Sequence, residues 1–261
     1  MSKLKDKIRT LRAEQPPRVL ISGPPGMGKT TLASEFPNPF FVQIEDGTPA
    51  GLELQGVQPK DFDEVMEAIA LLYDEEHDFG TVVFDSLDKM QPLLWDAVCR
   101  DNNWQSIEAP GYGKGYVATE YRWRDFLDGC NALRRERGMT IVMIAHSDVE
   151  RFDDPTSVSY SQYQVRLHKS GRKLVEDEVD AILLLKYEAS VKEEDQGFNK
   201  KRAHAEGGNT RFIFTEGRPA FTAKNRFGMP PKIVYRPGQG YSELSKYFPG
   251  AAPVATAPKA A

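Results

Sequence analysis

Eight residues, "GPPGMGKT" from Gly23 to Thr30, match the spacing GxxxxGK[ST]. Small residues in that pattern let backbone N–H groups close around phosphate oxygens, and a helix starting at the end of the loop adds its positive pole. Gly23, Pro24, Pro25, Gly26, Met27, Gly28, Lys29, Thr30 and Thr31 form the candidate cradle. Lys29 has the reach for β- and γ-phosphates, and the hydroxyl of Thr30 suits a Mg²⁺ ligand. ATP and Mg²⁺ are the cofactors this chemistry expects. A metal-positioning acid is then needed on a neighbouring strand. "TVVFD" supplies Asp85 at the end of an apolar run.

Such groups need strands that end beside them. "RVLISG", "PFFVQIEDG", "GTVVFDS" and "MTIVMIAHS" are strongly apolar runs separated by helical stretches. That alternation predicts an α/β fold with a parallel sheet covered on both faces. The helix "KTTLASEF" is predicted to stop at Pro37, and "DFDEVMEAIALLYDEE" to open on an Asp cap. Trp123, Phe126, Leu127, Cys130 and Leu133 fall on one stripe of a later helix. "VDAILLLKYE", "NTRFIFTEG" and "RPAFTAKNR" have no helix between them, which predicts an antiparallel C-terminal extension of the sheet. Glu193–Asn209 reads as a charged hairpin tip. The expected organisation is a basic helix or arm over 1–15, one body over 16–247 and a disordered Pro/Ala tail over 248–261.

With 261 residues, 40% of them hydrophobic and 28% charged, the chain can bury a full core. A net charge of −4 argues against a uniformly basic nucleic-acid binder and leaves room for a local basic patch. Cys99 and Cys130 lack CxxC spacing or a nearby His pair, so they read as core thiols of a reducing compartment. The first residues carry cations without an apolar segment, unlike a signal peptide, and no apolar run reaches the ~20 residues of a membrane span. The expected location is the cytoplasm.

In order, "GPPGMGKTT", "FFVQIEDG", "TVVFDSL", "TIVMIAH" and "AKNRFG" resemble the RecA/RadA branch of P-loop ATPases, over most of residues 17–245. The chain looks most like the short RecA-like ATPases of phages, which act as recombinases or single-strand annealing proteins. The resemblance implies a RecA-like sheet and a catalytic set of Lys29, Glu45, Asp85, His146, Lys224 and Arg226. Glu45 would orient the attacking water, although a solvated acidic turn fits "QIEDG" too. Asp85 and Thr30 would hold the metal. His146 stands where the branch carries a γ-phosphate-sensing Gln; imidazole can donate the same hydrogen bond, and a structural histidine is the plainer alternative. Lys224 and Arg226, one residue apart on one face of an extended segment, would cross a subunit interface to a neighbour's ATP. That role requires self-association as a filament or ring.

The same branch carries DNA-binding loops after the strands that correspond to "TVVFD" and "TIVMIAH", the third and fourth of the apolar runs. Here the first loop, "NNWQSIEAPGYGKGY", holds Trp104, Tyr112, Lys114 and Tyr116. The second, running from Glu150 to Lys173, holds Tyr160, Tyr163, Arg166, Lys169, Arg172 and Lys173. Aromatic side chains among cations suit single-stranded DNA, whose bases stack while its backbone is neutralised; ordinary exposed loops share the composition. The expected function is an ATPase, stimulated by DNA, that assembles on single strands to promote annealing or strand exchange in phage-type recombination. A single-strand-binding protein is a further expected partner. A hexameric helicase-like or packaging motor, and a nucleotide-gated scaffold with little turnover, are the competing readings.

Overall fold

The computed structural model describes residues 14–154, 158–195 and 201–249. The expected N-terminal arm and Pro/Ala tail fall almost wholly outside these residues. In chain order the elements are β1 (Arg18–Gly23), α1 (Lys29–Ser34), β2 (Pro39–Gln43), β3 (Gln55–Val57), α2 (Phe62–Asp74), β4 (Thr81–Asp85), α3 (Leu87–Asn102) and α4 (Lys114–Glu136). Then follow β5 (Thr140–Phe152), β6 (Tyr160–Val165), α5 (Lys169–Glu178), β7 (Ala181–Asp195), β8 (Lys201–Phe214), β9 (Lys224–Asn225), β10 (Lys232–Tyr235) and α6 (Gly240–Leu244).

The main strands lie in the order β10-β8-β7-β1-β5-β4-β2-β3. Every neighbouring pair from β3 to β7 is parallel, while β8 and β10 add antiparallel strands at one edge. The fold class expected from the sequence is therefore the one observed. Side-chain alternation along each strand splits the core in two. Leu20, Phe84, Ile141 and Met143 pack beneath α2, α3, α4 and α5. Val19, Ile21, Val83 and Ile144 face α1 and α6. Asp61 caps α2 by accepting from the backbone N–H of Glu64 at 2.9 Å, as predicted. The stripe on α4 is buried as expected, with Trp123, Phe126 and Leu133 at 0% exposure.

Five expectations need correction. The strand "AILLLKYE", antiparallel to β8 and β9 as expected, is parallel to β1 on its other side, because the helix α5 supplies the crossover that parallel pairing requires. The second polar loop is instead an antiparallel hairpin of β5 with β6, running from Ser147↔Val165 to Phe152↔Tyr160, followed by α5. "RPAFTAKNR" contributes only the two-residue β9 on β7, and the outer antiparallel strand is "KIVY", β10. The supposed charged tip is largely strand, since pairing continues out to Asp195↔Lys201; residues 196–200 lie outside those described. Phe248, placed in the tail by composition, is 7% exposed and packs on Phe36 and Phe227.

Candidate nucleotide site

Parallel strands converge their C-terminal ends on one edge of the sheet, the edge where α/β proteins bind ligands. Gly23 at the end of β1 stands beside His146 of β5, and Gln43 of β2 stands beside Asp85 of β4. A cleft of about 380 Å³ opens there, lined by Lys29, Thr30, Glu45, Asp85, His146 and Arg211 among others. Two glycines explain the loop's shape. Gly28 has φ +91°, in the left-handed region, and a Cβ on Gly23 would lie 2.3 Å from the carbonyl oxygen of Leu185.

Lys29 is buried, and its ammonium donates to the carbonyls of Gly23 at 3.0 Å and Pro24 at 3.1 Å, across the mouth of its own loop. Burial lowers its pKa, partly offset by the carboxylates of Asp85, Asp88 and Glu45. The hydroxyl of Thr30 donates to Asp85 Oδ2 at 2.7 Å, so the two expected metal ligands touch. Burial pushes the Asp85 carboxyl up, against the lowering effect of that hydrogen bond. Beside them Ser86 donates to Glu45 Oε2 at 3.1 Å. These groups fit a nucleotide with its cation: a cradle closed to side chains, an inward ammonium, and a hydroxyl paired with a carboxylate. No cluster of three His, Cys, Asp or Glu side chains suited to a metal exists among the described residues. A cation would thus be held by Thr30, Asp85 and phosphate oxygens together.

His146 is held from an unexpected quarter. Asp88, in the first turn of α3, accepts from the backbone N–H of His146 at 2.9 Å and from its Nδ1 at 3.0 Å. Nδ1 is thereby the protonated nitrogen. Nδ1 also lies 3.8 Å from Glu45 Oε2. Burial raises the Asp88 carboxyl, but the hydrogen bonds from His146 outweigh it and hold the group below its ordinary value. Sequence reasoning missed both Asp88 and Arg211. The first had a signal, an Asp three residues past Asp85 in "DSLD"; the second had none in its local pattern.

Lys224 and Arg226 lie at the opposite edge of the sheet, because β9 pairs with the start of β7 at Ala181 and Ile182. The Lys224 ammonium donates to the carbonyls of Glu176 at 2.7 Å and Asp177 at 3.0 Å, closing the end of α5. Arg226 is 53% exposed and lies 3.3 Å from Asp180 Oδ1. Asp180 also receives Arg18 at 3.0 Å and Arg134 at 3.4 Å, while Arg18 pairs in addition with Glu178. Neither cation reaches the cleft of its own chain.

The candidate DNA contacts divide. Tyr112 is fully exposed with φ +49°, at the tip of the loop before α4, and Lys114 is exposed at the start of that helix. Lys169 and Lys173 are exposed one turn apart on α5 and make no ion pair among the described residues. The others are engaged. Arg166 makes a two-pronged contact with Asp148, both distances 2.7 Å, and Arg172 donates to Glu150 at 2.9 Å. Lys186 sits 4.7 Å over the ring of Tyr163. Tyr116 stacks on His168 at 4.1 Å, and half-buried Trp104 packs against the core.

No helix among the described residues is long and apolar enough to cross a membrane. No curated protein sequence matches the chain. Among solved structures, that of the RadB recombinase superposes with a TM-score of 0.47 at 17% identity, covering 85% of this chain and 88% of that one. A family model described as AAA domain matches residues 15–227, which holds the phosphate loop, Glu45, Asp85 and His146. The chain belongs to this AAA domain family of P-loop ATPases.

Proposed function

We propose that the protein hydrolyses ATP on a single-strand DNA scaffold, as an annealing or strand-exchange factor of the phage recombination type. The observation that carries the enzymatic half is the convergence of Lys29, Thr30, Asp85, Glu45 and His146 on one cleft. Lys29 would leave its loop carbonyls to hold phosphate oxygens, and Thr30 and Asp85 would hold Mg²⁺. The cation, when bound, supplies charge neutralisation to the phosphates. Glu45, steadied by Ser86, accepts a proton from a water and orients it. His146 is fixed through Nδ1, and a hydrogen bond from its other ring nitrogen to a phosphate oxygen would require a proton on that nitrogen as well, the imidazolium form.

Single-strand binding is supported by Tyr112, Lys114, Lys169 and Lys173, which are exposed, with Lys169 and Lys173 free of ion pairs among the described residues. Assembly is supported by Arg226, half-exposed on the edge away from its own cleft, from which any triphosphate it served would have to belong to a second copy. Lys224 would steady α5 behind it.

ATP turnover and assembly state, measured together with and without single-stranded DNA, test this reading. DNA-stimulated turnover with DNA-bound oligomers is expected, and Arg226→Ala is expected to lower turnover by about 10³-fold if the cation acts in trans. Near-zero, DNA-independent turnover would favour the scaffold reading, and closed rings without DNA would favour the motor.

A further inference from the structure

β8 brings one more cation to the cleft. Arg211 stands in cross-strand register with Tyr187 of β7 on one side and Tyr235 of β10 on the other. Directly opposed residues share a face, and this face is the one that carries α1 and the phosphate loop. A break in register between Tyr187 and Ala189 adds residues to β8 immediately before Arg211, the kind of irregularity that re-aims a side chain. Arg211 Nε donates to the hydroxyl of Tyr187 at 3.2 Å, and the guanidinium carbon lies 5.8 Å from that ring's centre. Its Nη1 is 3.0 Å from where a Cβ on Gly28 would be, so the guanidinium rests against the last residue of the loop before α1. Among the described residues Arg211 pairs with no carboxylate. Its two terminal nitrogens therefore remain free to donate while Nε is spent on aiming.

We propose that Arg211 is a phosphate ligand of the same subunit, closing the cradle from the β8 side opposite Lys29. A guanidinium is planar, permanently charged and matched to two oxygens of one phosphate, and an unpaired one at the lip of an anion cradle is suited to that contact. The inference rests on the reading of the cleft as a nucleotide site. It assigns to the cis subunit a cation that the pattern of the sequence places only in trans, at Lys224 and Arg226. Tyr187 is a positioning residue, acting through Arg211.

Calorimetric titration of the full chain with inorganic tripolyphosphate, ATP and GTP in Mg²⁺ tests it. Arg211→Ala and Arg211→Gln are expected to weaken all three by roughly 10- to 100-fold, the loss of one or two charge-assisted hydrogen bonds. Arg211→Lys should recover part of the loss, and Tyr187→Phe should show a smaller loss cancelled in the Arg211→Ala background. A variant that binds tripolyphosphate as the parent does, or that loses ATP while keeping tripolyphosphate, overturns the assignment. If the parent binds ATP and tripolyphosphate normally, such a failure belongs to Arg211 alone. A parent that binds neither overturns the nucleotide reading with it.

Discussion

Asp88→Asn isolates the group that orients His146. The carboxylate is 4% exposed and accepts two hydrogen bonds, at 2.9 and 3.0 Å, from one histidine. Asparagine has the same shape and keeps an oxygen for the backbone N–H, but turns an N–H₂ toward Nδ1. The ring must then move its proton to the other nitrogen to accept, or leave two donors facing. One charge-assisted hydrogen bond is lost, about 2 kcal/mol for a buried partner, which for a chain of this size corresponds to ~4–8 °C in melting temperature. Asp88→Ala leaves both donors of His146 without a partner and should cost more. Because the Asp88 carboxyl is held below its ordinary value, its contribution is present at neutral pH and fades as pH falls through that lowered value. The variant should therefore differ most from the parent near neutrality and converge with it in acid. Thermal melts across pH, run beside ATP turnover, read both effects. If Asp88→Asn melts with the parent at pH 7 and its turnover is unchanged, the dyad does not hold His146, and the sensing role assigned to that ring loses its support.

Asp85→Asn should stabilise the nucleotide-free protein at neutral pH, because burial raises the Asp85 carboxyl and its ionised form opposes folding above that raised value. Mg²⁺-dependent turnover should fall at least ~100-fold in the same variant, so a melting curve and an ATPase assay will move in opposite directions. Gly171→Ala should cost about 1–3 kcal/mol in urea unfolding, since its Cβ would lie 2.5 Å from Nε1 of the fully buried Trp123. Lys169→Ala with Lys173→Ala should flatten the salt dependence of single-strand binding by about 1.4 in log–log slope if each lysine meets a phosphate, and an unchanged slope would remove α5 from the interface.

The parts of this molecule that local chemistry specifies were readable in one dimension. "RVLISG" is β1 residue for residue, and "GPPGMGKT" lies between that strand and α1 as its spacing requires. Asp85 ends β4 because an apolar run that stops at an acid can bury everything before it. The failures share a cause, which is that pairing and packing across the sheet have no local signature. The hairpin β5–β6 mixes polar residues with scattered apolar ones (Val149, Phe152, Tyr163) and its connection has no Gly, so its sequence resembles a loop. The helix α5 is ten residues long with only Leu174 and Val175 as sizeable apolar side chains, too few to mark it in the sequence, yet it supplies the crossover by which β7 runs parallel to β1. Arg211 looks like any alternating strand residue in "NTRFIF" until the register sets it over Gly28.

The carboxylate of Asp180 is a hub with a spare spoke. Arg18 and Arg134 grip it from within the fold, so the outermost arginine, Arg226, is a third claimant on a charge already balanced. Its departure would orphan nothing. The side chain can therefore swing to an outside anion at the expense of one half-solvated contact, and evolution can retune that reach without loosening the body that carries it.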